Sequence, residues 1–528
     1  MYDLIIRNGR IIDGAGLPWF CGDVAVQGGK IAAVGQVNGP AKEEVDANGM
    51  VIAPGFIDCH THGDVALIDN PINTIKLLQG VTTEIVGNCG LSPFPCSDEH
   101  EAEWRSYLEP ILGARSEPYP WRSTHEYMNL LEKGKFAHNV GVLVGSGALR
   151  AAVSGYDPSP LTPQRLEKTK EYAKEALDAG CVGVSMGLVY SPDNFYKDEE
   201  LSAVMEVLRG TGKPLVVHMR GEGAQLADCV RQAVKIAKDA GVPLEISHLK
   251  AIDVRGWAQL DEALDVIEKA REEGLDVTAD AYPYLAGATQ LISCLGPDLM
   301  HDGVEGAMDI LRDPEKRAKF KAGIHKDYPH WDNYLTTLSW DNVQIAYVKD
   351  PDCQKYCGKT ITEAAEMMGM EPDEAALELI LINEGCLFVF MFYMRYEDIH
   401  KIYDQPYTMV ASDSIYVSGG LPHPRLYGTF PRILQMVRED EGMISLERAV
   451  QKMTSFPAQR FGLMDRGLLR VGMAADITVF DPDTATDVAT YMEPRQTPHG
   501  IAHVFVAGEQ VVRDGVYTGA TPGQLIRK

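Results

Sequence analysis

Eight times along this chain a short apolar run ends on residues able to do chemistry, and that recurrence limits the fold more than any other feature. Val51 to Asp58 ends in Cys59-His60-Thr61-His62, Thr82 to Val86 leads to Asn88-Cys89, and Val140 to Val144 leads to Gly145-Ser146. Val182 to Leu188 leads to Tyr190, Leu215 to Val217 to His218, and Leu244 to Ser247 to His248-Leu249-Lys250. Val277 to Ala281 leads to Tyr282-Pro283-Tyr284, and Thr408 to Ala411 to Ser412-Asp413. Several intervals (166–179, 201–210, 224–240 and 260–273) carry apolar residues three and four apart, the spacing of an amphipathic helix. Gly180, Gly212, Gly241 and Gly274 stand where such helices stop. Strand and helix in alternation, with reactive groups at the carboxyl ends of the strands, predict an α/β fold, a (β/α)8 TIM-like barrel whose strand ends converge on one mouth.

The two ends of the chain follow a different rhythm. Leu4-Ile5-Ile6, Asp23-Val24-Ala25-Val26 and Lys30-Ile31-Ala32-Ala33-Val34 are short strands separated by glycine turns, and Ala475 to Phe480 and Val504 to Val512 repeat the pattern. Neither end supplies enough strands to bury a sheet face alone. The expectation is one small composite β-sandwich domain from residues 1–52 and 466–528, built around a barrel at 53–465. Charged helical sequence without a reactive cluster at 297–339 predicts an insertion after barrel strand 7 that covers the mouth.

Of the 528 residues 75 are acidic and 49 basic, a net charge of -26, and there is no basic patch to hold a phosphate backbone or an anionic bilayer. No apolar run reaches the roughly 18 residues that a spanning helix needs, and the start lacks a charged segment followed by a signal-length apolar core. The ten cysteines are scattered, without the spacing of a disulfide scaffold. These features predict a cytoplasmic protein with a small-molecule substrate and with neither nucleic acid nor membrane as partner. A homo-oligomer is compatible with them.

His60 and His62 stand two apart at a strand end, where side chains at i and i+2 point the same way, so both imidazoles reach one metal. His218 and His248 each end a separate parallel strand; singly either reads as a structural histidine, but strand ends converge. With Cys89, flanked by Gly87 and Gly90, they form a nitrogen and sulfur set suited to zinc. Four histidines and one cysteine exceed the needs of one tetrahedral ion, which predicts one tight Zn2+ site and a second, weaker one. Asp413, at the last strand end, is placed to act as the general base of a metal-assisted hydrolysis.

Pro54-Gly55-Phe56-Ile57-Asp58-Cys59-His60-Thr61-His62, with the late single histidines and the last-strand aspartate, resembles the amidohydrolase superfamily. Gly87-Asn88-Cys89-Gly90, His218-Met219-Arg220-Gly221-Glu222, Ser247-His248-Leu249-Lys250, Asp280-Ala281-Tyr282-Pro283-Tyr284 and His423-Pro424-Arg425-Leu426-Tyr427-Gly428-Thr429-Phe430 narrow the resemblance to the D-aminoacylase, or N-acyl-D-amino-acid deacylase, family. That resemblance implies zinc-dependent hydrolysis of N-acyl-D-amino acids, with a tight zinc on Cys89, His218 and His248 and a second metal at His60 and His62. It further implies Asp413 as general acid/base, and Lys250 and Tyr282 on the substrate α-carboxylate. The alternatives are a cyclic amide or imide hydrolase of the hydantoinase or dihydroorotase kind and, more remotely, a non-catalytic structural homologue.

The chain departs from the family pattern at three places. Ser146 stands where the family has a histidine, Gly63 where it has the first of two aspartates, and Arg395 where it has a small hydroxyl residue. Arg395 is therefore a candidate contact for an acidic substrate group, or else the partner of Glu397 or Asp398. Arg220 with Glu222 is expected to form a structural ion pair, and Arg425 to be a structural anchor.

Overall fold

The computed structural model describes residues 1–528 except 114, 116, 329–330, 417–418 and 441. Its centre is a parallel sheet of eight strands: Phe56–Asp58 (β1), Val81–Val86 (β2), Asn139–Gly145 (β3), Gly183–Gly187 (β4), Leu215–His218 (β5), Leu244–Ile246 (β6), Val277–Ala281 (β7) and Thr408–Val410 (β8). Each pairs in parallel with the next. The ring is drawn together at its mouth, where Ser414–Ile415 runs parallel to Thr61–His62 and the Asp413 N–H donates to His60 O at 2.9 Å. That seam brings the first and last strands of the barrel, and their functional side chains, into contact.

The apolar run from Val51 to Asp58 serves two sheets. Val51–Pro54 pairs with Tyr2–Ile11 and with Ile477–Phe480, whereas Phe56–Asp58 enters the barrel. Gly55 makes the crossing, since a Cβ there would lie 2.2 Å from Thr82 Oγ1. Strands from both ends of the chain form one nine-stranded sheet, packed on a core that includes Leu4, Ile6, Val24, Ile477 and Phe505. The last residues return to the barrel, with Ile526 N–H on Val140 O at 2.7 Å, and Ile526 joins Ile57, Ile85, Leu143, Val216 and Met409 in an apolar cluster.

Helices Leu226–Ala240 and Leu260–Glu272 occupy two of the intervals with helical spacing, and Gly241 closes the first in a left-handed cap with φ 71. Between β7 and β8 the chain builds more than the charged helical segment at 297–339. Ala286–Gln290, Val343–Val348 and Leu387–Phe392 form an antiparallel three-stranded sheet around it, with the last of these in the middle. The first of these strands, Ala-Gly-Ala-Thr-Gln, lacks the β-branched and aromatic alternation that marks a strand in sequence. Gly287 is required there, because a Cβ would fall 1.8 Å from the Tyr393 hydroxyl.

Candidate active site

Three strand ends turn through a backbone conformation that L-residues avoid: Cys89 (φ 56), His248 (φ 36) and Asp413 (φ 50). Gly87 and Gly90 allow the first of these turns. A Cβ on Gly87 would lie 2.1 Å from Leu143 O, and one on Gly90 2.5 Å from Asp193 Oδ2. Donor atoms of Cys89, His218 and His248 lie within 4.8 Å of one another, and those of His60, His62, Cys89 and Asp413 form a second such group that shares the thiol. His248 Nε2 is 2.7 Å from His218 Nδ1 and 3.5 Å from Cys89 Sγ, and His60 Nε2 is 3.3 Å from the same sulfur. Two ring nitrogens that close need a proton or a cation between them, so the donor set fits a metal. Burial opposes ionisation of the Cys89 thiol, but the fields of His60, His248 and His218 outweigh it and hold the thiol well below its ordinary range. The thiolate is the form that binds metal.

Each imidazole is steered from behind. Asp280 accepts from His60 Nδ1 at 3.2 Å, leaving Nε2 turned to the sulfur, and from the His248 backbone N–H at 2.8 Å. Glu222 Oε1 lies 3.0 Å from His248 Nδ1 and 2.6 Å from Lys250 Nζ. Outer carboxylates of this kind fix ring orientation and tautomer. Burial raises the Glu222 carboxyl, but Lys250 and His248 overcome it and bring it down to about 2. Asp413 Oδ1 is 3.3 Å from His62 Nε2 and 3.4 Å from His60 Nε2, while Oδ2 is 2.8 Å from Arg425 Nη1. Burial pushes Asp413 up, but Arg425 and His248 prevail and hold it well below the usual carboxylate range. It is ionised at neutral pH, the state a proton acceptor requires.

A chamber of about 610 Å³ lies over these groups, with His62, Cys89, His218, His248 and Asp413 in its wall. Lys250 and Tyr282 also line it, and the Tyr282 hydroxyl is buried with no hydrogen-bond partner. The insertion contributes Thr289, Cys294, Tyr334, Met391 and Tyr393.

The sequence profile of the Amidohydrolase family matches residues 43–291 and 399–512. The chain belongs to the amidohydrolase family. The unmatched stretch between those two segments falls within the insertion. This amidohydrolase is 32% identical over 531 residues to the D-aminoacylase of Alcaligenes xylosoxydans xylosoxydans, which spans 100% of the chain and 98% of the relative. It is also 32% identical to the N-acyl-D-glutamate deacylase of the same organism, over 100% and 96% of the two chains. Among solved structures, the N-acyl-D-glutamate deacylase of Bordetella bronchiseptica, complexed with zinc and a phosphonate mimic of the tetrahedral intermediate, superposes with a TM-score of 0.84 at 31% identity, over 100% of both chains.

Arg395 takes the second of the two roles that the sequence allowed it, whereas Arg220 takes partners other than the expected one. Arg395 stands outside the chamber: its Nε and Nη2 donate to the Asp398 carboxylate at 2.7 and 2.9 Å, and its guanidinium packs over Trp257. The expected Arg220–Glu222 pair does not form. Arg220 donates to the carbonyls of Leu188, Asn194 and Tyr196, and Glu222 is taken by Lys250 and His248, which reach it from β6. Ser146 donates to both oxygens of Asp193 at 2.6 and 2.7 Å, tying the ends of β3 and β4 together. At Gly63 a Cβ would sit 3.1 Å from the Tyr416 ring, so the absence of the family's aspartate matches tight packing.

Sequence reasoning passed over Asp280, and it took Arg425 as a structural anchor without identifying the group it holds, Asp413. Asp280 lies two residues before Tyr282 on a barrel strand, a spacing that places both on one face and was a usable signal. Arg425 carried no comparable signal. It is fully buried against Asp413 and 4.7 Å from the centre of the Tyr282 ring, and its Nε and Nη2 have no hydrogen-bond partner.

Proposed function

We propose that this protein hydrolyses the amide bond of N-acyl-D-amino acids, releasing a carboxylate and a free D-amino acid. The observation that carries this reading is the cysteine-containing donor set of Cys89, His218 and His248, in a chamber whose wall also holds Asp413, Lys250 and Tyr282. Cys89, His218 and His248 would hold a tight zinc, and His60 and His62 with the shared thiol a weaker second ion. Zinc bound there supplies Lewis acidity, polarising the acyl carbonyl and making water nucleophilic at neutral pH.

The chain's own residues do the rest. Arg425 holds Asp413 Oδ2, which leaves Oδ1, turned toward His60 and His62, to take a proton from the attacking water and deliver it to the departing amine nitrogen. Lys250 and the unpartnered Tyr282 hydroxyl bind the α-carboxylate. With the carboxylate and the scissile carbonyl both held, the substituent on the α-carbon has two directions available, and one enantiomer directs it into the chamber rather than the barrel wall. Tyr334, Met391 and Tyr393 cover the reacting centre and exclude bulk water. We also place the enzyme in the cytoplasm, since all ten cysteines are free thiols; no helix among the described residues is long and apolar enough to cross a membrane.

The test compares kcat/KM of the zinc-loaded enzyme on N-acetyl-D-methionine, its L enantiomer and a 5-substituted hydantoin. Turnover of the D compound well above both others is expected. Faster opening of the hydantoin ring would replace this reading with the cyclic-amide one.

A further inference from the structure

A buried ammonium grips both chain neighbours of Asp413. Lys76, on the short helix Thr74–Leu77 between β1 and β2, is fully buried, and so are Asp58, Ser412 and Ser414. Its Nζ donates to Asp58 Oδ2 at 2.6 Å, to Ser412 Oγ at 2.9 Å and to Ser414 Oγ at 2.8 Å. An ammonium has three protons to donate, and all three are placed. Lys76 is not among the described residues that line the chamber, so it has no direct access to a bound substrate.

The clamp falls on a turn that needs one. Asp413 holds a left-handed conformation, φ 50, which an L-residue adopts only where its surroundings impose it. Ser412 is fixed further, its N–H donating to Asp58 Oδ1 at 3.0 Å and its hydroxyl to Oδ2 at 2.6 Å, and the Ser414 N–H donates to Ser412 Oγ at 3.2 Å. Asp58 belongs to β1 and Ser412 follows β8, so the ammonium joins the first and last strands of the barrel at this turn. Arg425 fixes the carboxylate end of Asp413 through Oδ2, and Lys76 fixes its backbone end, which leaves Oδ1 directed at His60 and His62. Stability alone does not call for a charge here, since a buried ion pair can often be replaced by apolar groups of similar volume without loss.

We infer that Lys76 is a positioning residue for the hydrolysis: through Ser412 and Ser414 it sets the turn that aims Asp413 Oδ1 at the attacking water and the departing nitrogen. The inference rests on Asp413 as the proton carrier of the deacylase reading, but not on which amide is cleaved. Misplacing a reacting group by about 1 Å can cost about 100-fold in rate, so a partial loss of aim should lower kcat and leave KM in place.

The test is a double-mutant cycle on zinc-loaded protein, with Lys76→Met and Ser414→Ala each made in the wild-type and Asp413→Asn backgrounds. Turnover is read on N-acetyl-D-methionine or, if the wild type cleaves only that, on a 5-substituted hydantoin. Ser414→Ala keeps the Lys76–Asp58 pair, so it decides the question if Lys76→Met fails to fold. In the wild-type background Lys76→Met should lower kcat about 10-fold or more and Ser414→Ala about 5-fold, with KM and zinc content within about 2-fold of wild type. In Asp413→Asn, where no proton carrier remains to be aimed, each should change kcat by less than about 2-fold. Equal losses in the two backgrounds would overturn the inference and leave Lys76 as a support of the barrel alone. A loss carried by KM or by zinc content would also overturn it, as would unchanged kcat in the folded variants. Absence of wild-type turnover on both compounds would instead overturn the deacylase reading and the inference with it.

Discussion

Replacing Lys250 by methionine perturbs two things at once, and the structure separates them. The ammonium is 2.6 Å from Glu222 Oε1 and 2.8 Å from His248 Nδ1 in a buried setting, so its removal leaves a buried carboxylate whose remaining contact is His248 Nδ1 at 3.0 Å. Breaking one side of a buried ion pair costs about 3 to 5 kcal/mol, and the surviving histidine contact puts the expected loss of stability near the lower end of that range. The catalytic effect is a separate quantity. A charge-assisted bond to the substrate carboxylate contributes about 1.5 to 3 kcal/mol, so kcat/KM on N-acetyl-D-methionine should fall about 10-fold to 100-fold. The double variant Lys250→Met with Glu222→Gln removes the stranded charge while keeping a group to bond His248. Urea unfolding should show most of the lost stability restored in the double variant, while kcat/KM stays low, and on the matching carboxamide substrate the loss should shrink to within about 3-fold. If the double variant recovered activity, or if both substrates lost equally, Lys250 would act only through Glu222 and His248 and would not hold substrate.

Asp413→Asn keeps the shape of the side chain but removes the proton acceptor, so turnover should fall at least ~100-fold with zinc content unchanged; near-normal turnover in metal-replete protein would assign the proton transfer elsewhere. The same change leaves Arg425 buried opposite a neutral group, and a lower urea midpoint is expected with it. Cys89→Ala removes the thiolate from both donor groups, and elemental analysis should find the tight zinc lost while the circular dichroism of the barrel is retained; full occupancy would refute the ligand assignment. Glu222 is held at about 2 against an ordinary 4.5. A carboxyl depressed by folding adds stability that is complete above its unfolded value and is lost as pH falls through the folded one, so urea stability should decline from about pH 4.5 toward 2, and Glu222→Gln should flatten that decline. An unchanged slope in the variant would place the acid sensitivity at other carboxyls.

The barrel is legible in the sequence because its two periodicities are local. A strand buried on both faces needs a continuous apolar run, an outer helix needs apolar residues three and four apart, and glycine marks where each helix stops. Once the strands are parallel, their carboxyl ends lie on one side, so His60, His62, Cys89, His218, His248 and Asp413 are brought to the same mouth without knowledge of any contact. The three-stranded sheet of the insertion was not legible, since its strands lie tens of residues apart and Ala286–Gln290 carries no strand pattern of its own.

What the sequence determines by itself, then, is which residue types stand at the strand ends, and hence the chemistry gathered there. Only the tertiary structure decides how the charges are shared: Glu222 to Lys250 and His248 rather than to Arg220, Asp280 to His60, and Arg425 to Asp413. The reason is physical. The apolar pattern that forms a strand or helix is set by residues a few positions apart, whereas a buried charge takes whichever partner packing brings within about 3 Å, and across a barrel that partner usually belongs to another strand.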